Sequence, residues 1–255
     1  ELRRADGTGP IRDASAGERV TLPDGVTLAL RAGFPDRTVE TGSRLWVADA
    51  GVEGGVMAYL GRRGRPIAYG YLHDRWPLQS HQTVFARHPG SAEMPSAGRP
   101  FTSDLVTDLV TSGVVVTPVV LHCGVSSLEA HEPPPAERFA VPRHTADLVT
   151  DARRRGSRVV AVGTTVVRAL ETVAGTDGSV RPGEGWTDLV LGPDRPPRVV
   201  DGLVTGFHEP EASHLLLLEA VVGADVVRRA YDAALEQRYL WHEFGDSALL
   251  FGQGG

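Results

Sequence analysis

The 255-residue sequence contains no lysine and no asparagine, one cysteine, Cys123, and only two methionines. All 26 basic residues are therefore arginine, which reads as the mark of a GC-rich genome and not as a functional demand for guanidinium groups. A single thiol excludes an internal disulfide and fits a reducing cytoplasm. No apolar run approaches the roughly 18 residues of a membrane span, and no charged-then-apolar leader opens the chain, so a soluble, cytoplasmic protein is expected. Aromatic residues make up 6% of the chain and acidic residues outnumber arginines, 32 to 26, for a formal net charge of −6. That balance supplies no general attraction for nucleic acid, although a local basic face is compatible with it. The length suffices for a sizeable core in one large or two small domains, and no internal repeat or low-complexity tract is visible.

What is present changes texture near residue 82. Before it, short apolar stretches at 19–22, 26–30, 44–47, 55–60 and 67–71 are punctuated by Pro23-Asp24-Gly25, Pro35-Asp36, Gly54-Gly55 and the basic turn Arg62-Arg63-Gly64-Arg65. Strands every eight to twelve residues with turn chemistry between them predict a small β-barrel or sandwich over residues 1–82. After it, helical and strand-like patterns alternate over residues 83–255, which predicts an α/β domain with a largely parallel sheet. Thr102 can cap a helix running to Ser112, and 114–122 reads as a buried strand that Pro118 interrupts. Residues 125–142, with Pro133-Pro134-Pro135, read as a long loop. A helix is expected over 145–155, strands over 186–191 and 198–205, a helix from Pro210 to Val222 and another over 224–239.

The organising stretch is 158–174. An apolar, β-branched run to Val162 meets Gly163-Thr164-Thr165, and Val166, Val167, Leu170 and Val173 then recur at helical spacing. Thr164 or Thr165 can cap that helix, whose first-turn N–H groups lie where α/β folds place ligands, so a carboxylate or ribose can sit there. An ordinary strand-turn-helix corner has the same pattern. Other polar residues gather after strand ends: His122; Arg168; Asp201, Thr205, His208 and Glu209; and Arg238, His242, Glu243 and Asp246 near the end. His208, Glu209, Glu211 and His214 also form a candidate metal set, without an HExxH or CxxC frame.

Eight ordered segments from residue 81 onward together resemble the S-adenosylmethionine:tRNA ribosyltransferase-isomerases of queuosine biosynthesis. They are His81-Gln82-Thr83-Val84-Phe85, Pro95-Ser96-Ala97-Gly98 with Phe101-Thr102, Leu121-His122-Cys123-Gly124, Val162-Gly163-Thr164-Thr165 with Arg168 and Leu170-Glu171, Gly185-Trp186-Thr187-Asp188, Val200-Asp201, Thr205 with Phe207-His208, and Arg238-Tyr239 with Phe244-Gly245-Asp246. The resemblance implies donation of the ribosyl part of S-adenosylmethionine to the amine of 7-aminomethyl-7-deazaguanine in tRNA, giving epoxyqueuosine with loss of adenine and methionine. No metal or redox cofactor is implied; S-adenosylmethionine is a substrate, tRNA a partner, and a monomer is expected. It further implies a barrel-like α/β domain with a small β-barrel domain inserted near its N-terminal part. The resemblance also implies an N-terminal segment contributing to the α/β domain, which is expected to be absent from this chain.

On this resemblance, Gly163, Thr164, Thr165 and Arg168 would hold the methionine carboxylate or ribose of the donor. His122 or His208 would be the base, Asp201 would join them in the catalytic set, positioning hydroxyls or the adenine as Asp188 and Asp246 would, and Trp186, Thr205 and Arg238 would complete the binding set. The chain departs from the family where Arg99-Pro100 replaces the usual Leu-His pair and where Pro134-Pro135-Ala136-Glu137 retains only the glutamate of an HxE loop. A relative that uses another ribosyl acceptor is the close alternative. A metal-dependent hydrolase and a non-catalytic nucleotide-binding module are the alternatives of another class.

Overall fold

In the computed structural model the described residues are all but 5–8, 68–75, 125–133, 209–212, 243 and 253–255. The chain divides into two compact units, Glu1–His81 and Gln82–Gly255.

The first unit carries β1 (Arg19–Thr21), β2 (Thr27–Phe34) and β3 (Leu45–Ala50), paired antiparallel in that order. The Pro23-Asp24-Gly25 turn joins β1 to β2, with Asp24 at φ 62. This three-stranded sheet does not close, so the expected barrel is not seen among the described residues. One expected strand, 55–60, is instead helix α1 (Val56–Arg63). Gly54 and Gly55, at φ 76 and 85, turn the chain into it. Val56, Tyr59 and Leu60 fit a helical period as well as a strand, and tertiary contacts decide the matter. Tyr59 is buried, its hydroxyl donates to the Pro23 carbonyl at 2.9 Å, and Arg63 forks onto Asp24. The expected strand at 67–71 falls largely outside the described residues.

In the second unit, helix α2 (Ser103–Thr111) starts where expected, the Thr102 hydroxyl accepting from the Leu105 N–H at 3.0 Å. Strand β4 is confined to Val120–His122, and Val114, Val115 and Val116 before it are exposed. Pro118 has no N–H for a ladder, and its carbonyl accepts instead from the Thr145 hydroxyl at 2.7 Å. Next come β5 (Glu137–Val141), α3 (Arg143–Arg154), β6 (Val160–Val162), α4 (Thr164–Thr172) and β7 (Gly183–Thr187). The unit closes with β8 (Gly202–Gly206), α5 (Ser213–Val222), α6 (Ala224–Glu236) and β9 (Ser247–Phe251).

Two three-stranded sheets result, β4-β5-β7 and β6-β8-β9. Among the described residues of this unit only β6 and β8 run parallel, which corrects the expectation of a largely parallel sheet. The physical reason lies in the connections. Between β6 and β8 the chain runs through α4 and then β7 of the other sheet, a long crossover of the kind a parallel pair needs, whereas the two successive helices α5 and α6 separate β8 from its antiparallel neighbour β9. The mixed α/β class itself is as expected.

The core centres on α4, whose Val167 and Ala169 have no exposed surface, packed in one cluster with Leu203 of β8 and Leu218 of α5. Glu171 of the same helix is buried and turns its carboxylate onto three successive backbone N–H groups, those of Arg198, Val199 and Val200, at 2.8, 2.9 and 3.2 Å. That clamp fixes the approach of the chain to β8. Glu171→Ala should lower unfolding stability by about 2–3 kcal/mol, because the buried donors lose their acceptor. Glu171→Gln, which keeps one oxygen, should cost less; urea midpoints of the two variants check the order.

Candidate active site

One cavity of the second unit gathers much of the expected chemistry. Its walls come from the 93–97 stretch, Leu121 of β4 with Cys123 and Gly124 beyond it, Pro134, Pro135 and Glu137, Val162 to Thr165 with Arg168, Leu189 to Leu191, Thr205 and Gly206, and three histidines, His208, His214 and His242. Gly163 turns the chain between β6 and α4 at φ 105, a left-handed value that favours glycine, and its N–H donates to the Val204 carbonyl of β8 at 2.9 Å. It is Gly163 that occupies the N-cap position. Thr164 and Thr165 are the first helical residues and neither hydroxyl caps, which corrects the capping expectation. Both still line the cavity, at the positive end of the α4 dipole.

Arg168 is where expected but is differently employed. It is 3% exposed, and its guanidinium donates to Glu137 Oε2 at 2.6 Å, Leu189 O at 2.9 Å, and Pro135 O and Thr187 O at 3.0 Å each. Four of five donors are thereby committed to the protein, so Arg168 holds the cavity wall together instead of reaching for a donor carboxylate. Glu137 also accepts from the Thr165 side chain and the Gly124 N–H; burial pushes its carboxyl up, against the pull of Arg168. Burial likewise pulls the Arg168 guanidinium down from its very high ordinary value, while Glu137 favours its charged form. The pair stays ionic, since a guanidinium with four acceptors does not release its proton at ordinary pH.

His208 lies two residues beyond β8, buried, with Nε2 at 3.3 Å from the Thr205 hydroxyl and its backbone N–H donating to the Tyr231 hydroxyl at 3.0 Å. The His214 ring stacks on it at 4.3 Å between centroids with 6° between planes, and the His242 ring lies at 4.5 Å and 35°. Burial, then the neighbouring imidazoles His214 and His242, lower the His208 pKa well below the usual 6.5. The His214 pKa falls to about 4, again chiefly by burial, with His242 and Arg168 adding to it.

The other expected site residues lie elsewhere. His122 alternates with the cavity-lining Leu121 and Cys123, so its side chain leaves the opposite face of the strand. Its buried Nδ1 has no hydrogen-bond partner among the described residues, and the ring lies so close to Gly90 that a Cβ there would come within 2.3 Å. Asp201 is a structural clamp, accepting from Arg153 Nη1 at 2.6 Å and the Val159 N–H at 2.8 Å. Trp186, 60% exposed, and the exposed Asp188 alternate with the buried Thr187 and Leu189. Arg238, at φ 58, ends α6 with its N–H on the Leu235 carbonyl, and Asp246 accepts from the Leu240 N–H at 2.8 Å. None of these six side chains lines the cavity; Gly163, Thr164, Thr165, Arg168, Thr205 and His208 do.

Of the candidate metal set, His208 and His214 stack face to face, while Glu209 and Glu211 fall outside the described residues, as does Glu243; among the described residues no group of three or more His, Cys, Asp or Glu is disposed to hold a metal. Glu93 also lines the cavity, as do Glu137, His214 and His242, which the sequence marked only as a loop glutamate, a candidate metal ligand and a polar residue near the end of the chain. For Glu137 a signal existed: Glu137, Phe139 and Val141 alternate with exposed or half-buried neighbours, a strand pattern that the prolines before it obscured.

A sequence model of the family described as "Queuosine biosynthesis protein" matches residues 8–250. The chain belongs to this family. It is 39% identical over 249 residues to the S-adenosylmethionine:tRNA ribosyltransferase-isomerase of Symbiobacterium thermophilum, covering 94% of this chain and 71% of that protein. It is 41% identical over 179 residues to the enzyme of the same name from Natranaerobius thermophilus, covering 68% of this chain and 52% of the relative. Among solved structures, the S-adenosylmethionine tRNA ribosyltransferase of Thermotoga maritima matches with a TM-score of 0.50 and 28% identity over 92% of this chain and 65% of that one. The queuosine-family chain thus spans about half to seven-tenths of these relatives' lengths. No helix among its described residues is long and apolar enough to cross a membrane.

Proposed function

We propose that the second unit binds S-adenosylmethionine in this cavity and transfers its ribosyl part, with isomerisation, to a deazaguanine base of tRNA, releasing adenine and methionine. The observation that carries the proposal is a cavity in which the Gly163-Thr164-Thr165 helix start and a buried, uncharged His208 face the same space, within a family match over residues 8–250. The reaction needs a base for the proton on the 5′ carbon, which the adjacent sulfonium acidifies. His208 is that base: a lowered pKa leaves a ring nitrogen free to accept at neutral pH. The positive end of α4 is suited to the methionine carboxylate, and Thr205 aligns the imidazole. No metal or redox cofactor enters this chemistry, and the protein acts as a monomer. The finer domain plan, an α/β body with a small β domain inserted near its N-terminal part, accounts for the two units.

The test is to incubate the protein with S-adenosylmethionine, with and without tRNA carrying the aminomethyl-deazaguanine precursor, and to follow adenine and the modified nucleoside by mass spectrometry. Release of adenine together with an epoxyqueuosine nucleoside is expected. Saturable binding with no adenine under either condition would leave only a nucleotide-binding module. Adenine release that depends on a small-molecule extract and not on tRNA would move the acceptor elsewhere.

A further inference from the structure

A single histidine at a strand end is a common structural hydrogen bonder, but three imidazoles brought together from three elements are not explained that way. His208 follows β8, His214 stands in the first turn of α5, and His242 lies between α6 and β9. The His208 ring has one neighbour over it at 4.3 Å and another at 4.5 Å, with Thr205 at its Nε2 edge. The backbone around it is pinned as well. The His242 N–H donates to the Phe207 carbonyl at 2.8 Å, and the Phe207 ring meets Tyr231, Tyr239 and Trp241 at centroid distances of 5.4 to 6.0 Å. These contacts tie the segment that bears His242 to the strand end that bears His208.

Resting on the proposed function, we propose that His214 and His242 are positioning residues that hold the His208 ring between them, so that the three imidazoles act as one proton acceptor. In that step the proton leaves the 5′ carbon for a ring nitrogen of His208, and the C–H electron pair stays on the carbon beside the positive sulfur. The buried His208 and His214 rings lie too close for both to carry charge, so a proton on one repels a proton on the other and the two titrate in coupled steps. The titratable groups packed about His208 among the described residues are His214 from α5, His242 from the segment after α6 and the Tyr231 hydroxyl from α6; Arg168 acts on His214 through space. Burial and the two rings depress the His208 pKa, so the acceptor stays available at pH values where an exposed histidine is protonated.

The full chain, labelled with 15N-histidine, permits a test by NMR titration of the parent, His214→Gln and His242→Gln, run beside pH profiles of adenine release. In the parent, His208 should remain neutral well below pH 6.5. In each variant its midpoint should rise toward the ordinary histidine value by about half to one unit. The acid limb of adenine release should rise with it, kcat falling about tenfold while KM changes little. A His208 midpoint that stays put in both variants, or a loss confined to KM with an unmoved pH profile, would overturn the proposal and make the two rings mere lining. Shifted midpoints in a parent that never releases adenine would overturn the choice of substrate and uphold the coupling of the three rings. Two variants on different elements keep the outcome readable if one fails to fold.

Discussion

Glu137→Ala is expected to destabilise the second unit by about 3–5 kcal/mol, because it leaves the Arg168 guanidinium buried without its counter-charge. The two side chains are 11% and 4% exposed, so solvent screening is slight. The same change strands the Thr165 hydroxyl and the Gly124 N–H, which both donate to that carboxylate. Arg168→Met should cost at least as much: it orphans the carbonyls of Pro135, Thr187 and Leu189 besides Glu137. Combining Glu137→Leu with Arg168→Met is therefore not expected to recover parental stability, unlike the apolar replacement of a buried ion pair that bonds only to itself. Urea unfolding of both single changes and of the combination checks this, with Glu137→Leu added to close the double-mutant cycle. A Glu137→Ala protein within about 1 kcal/mol of the parent would show that water or a rearranged wall takes up the charge, and the pair would lose its place as the fastener of the cavity.

That fastener explains how one cavity can combine a buried charge pair with the uncharged His208 and His214. Arg168 comes from α4 and Glu137 from β5, and the guanidinium also bonds the chain on either side of Asp188. The charge is enclosed by acceptors that belong to the protein, which leaves the α4 dipole as the cavity's free attraction for an anionic group of a ligand.

The sequence disclosed its class through periodicity, and it misled where local pattern was ambiguous or long-range contacts decided. Apolar β-branched residues before Gly163 and a helical repeat after it placed β6 and α4 nearly to the residue. Residues 55–60 suit either period, and only the burial of Tyr59 under the Pro23 turn makes them helical. Strand direction was not legible, because it depends on the whole path between paired strands, which from β6 to β8 passes through α4 and a strand of the other sheet. Asp201 and Arg168 sit in the motifs where ligand-binding residues were expected, yet their partners, Arg153 with the Val159 N–H and Glu137 with three carbonyls, are far along the chain or on the backbone. Spacing marks a residue as constrained; only geometry says whether the constraint is a substrate or the fold.

The same distinction separates the two candidate bases and makes the largest kinetic prediction. His208→Ala should slow adenine release from S-adenosylmethionine by about 10²–10⁴-fold, the span usual for loss of a positioned general base. The decrease should fall on kcat, because the proton transfer is made only in the transition state. His122→Ala should leave the rate within a few-fold, since strand alternation turns that side chain away from the cavity wall formed by Leu121 and Cys123. The parental pH profile carries an independent sign. A base must be unprotonated, and the His208 pKa lies well below 6.5, so activity should persist as pH falls through 6.5 and fail only as it passes the lowered value. Steady-state rates of the parent and both variants between about pH 4.5 and 8 decide it. Equal losses in the two variants, or a parental acid limb centred at the ordinary histidine value, would transfer the role of base to another residue and leave His208 as part of the wall.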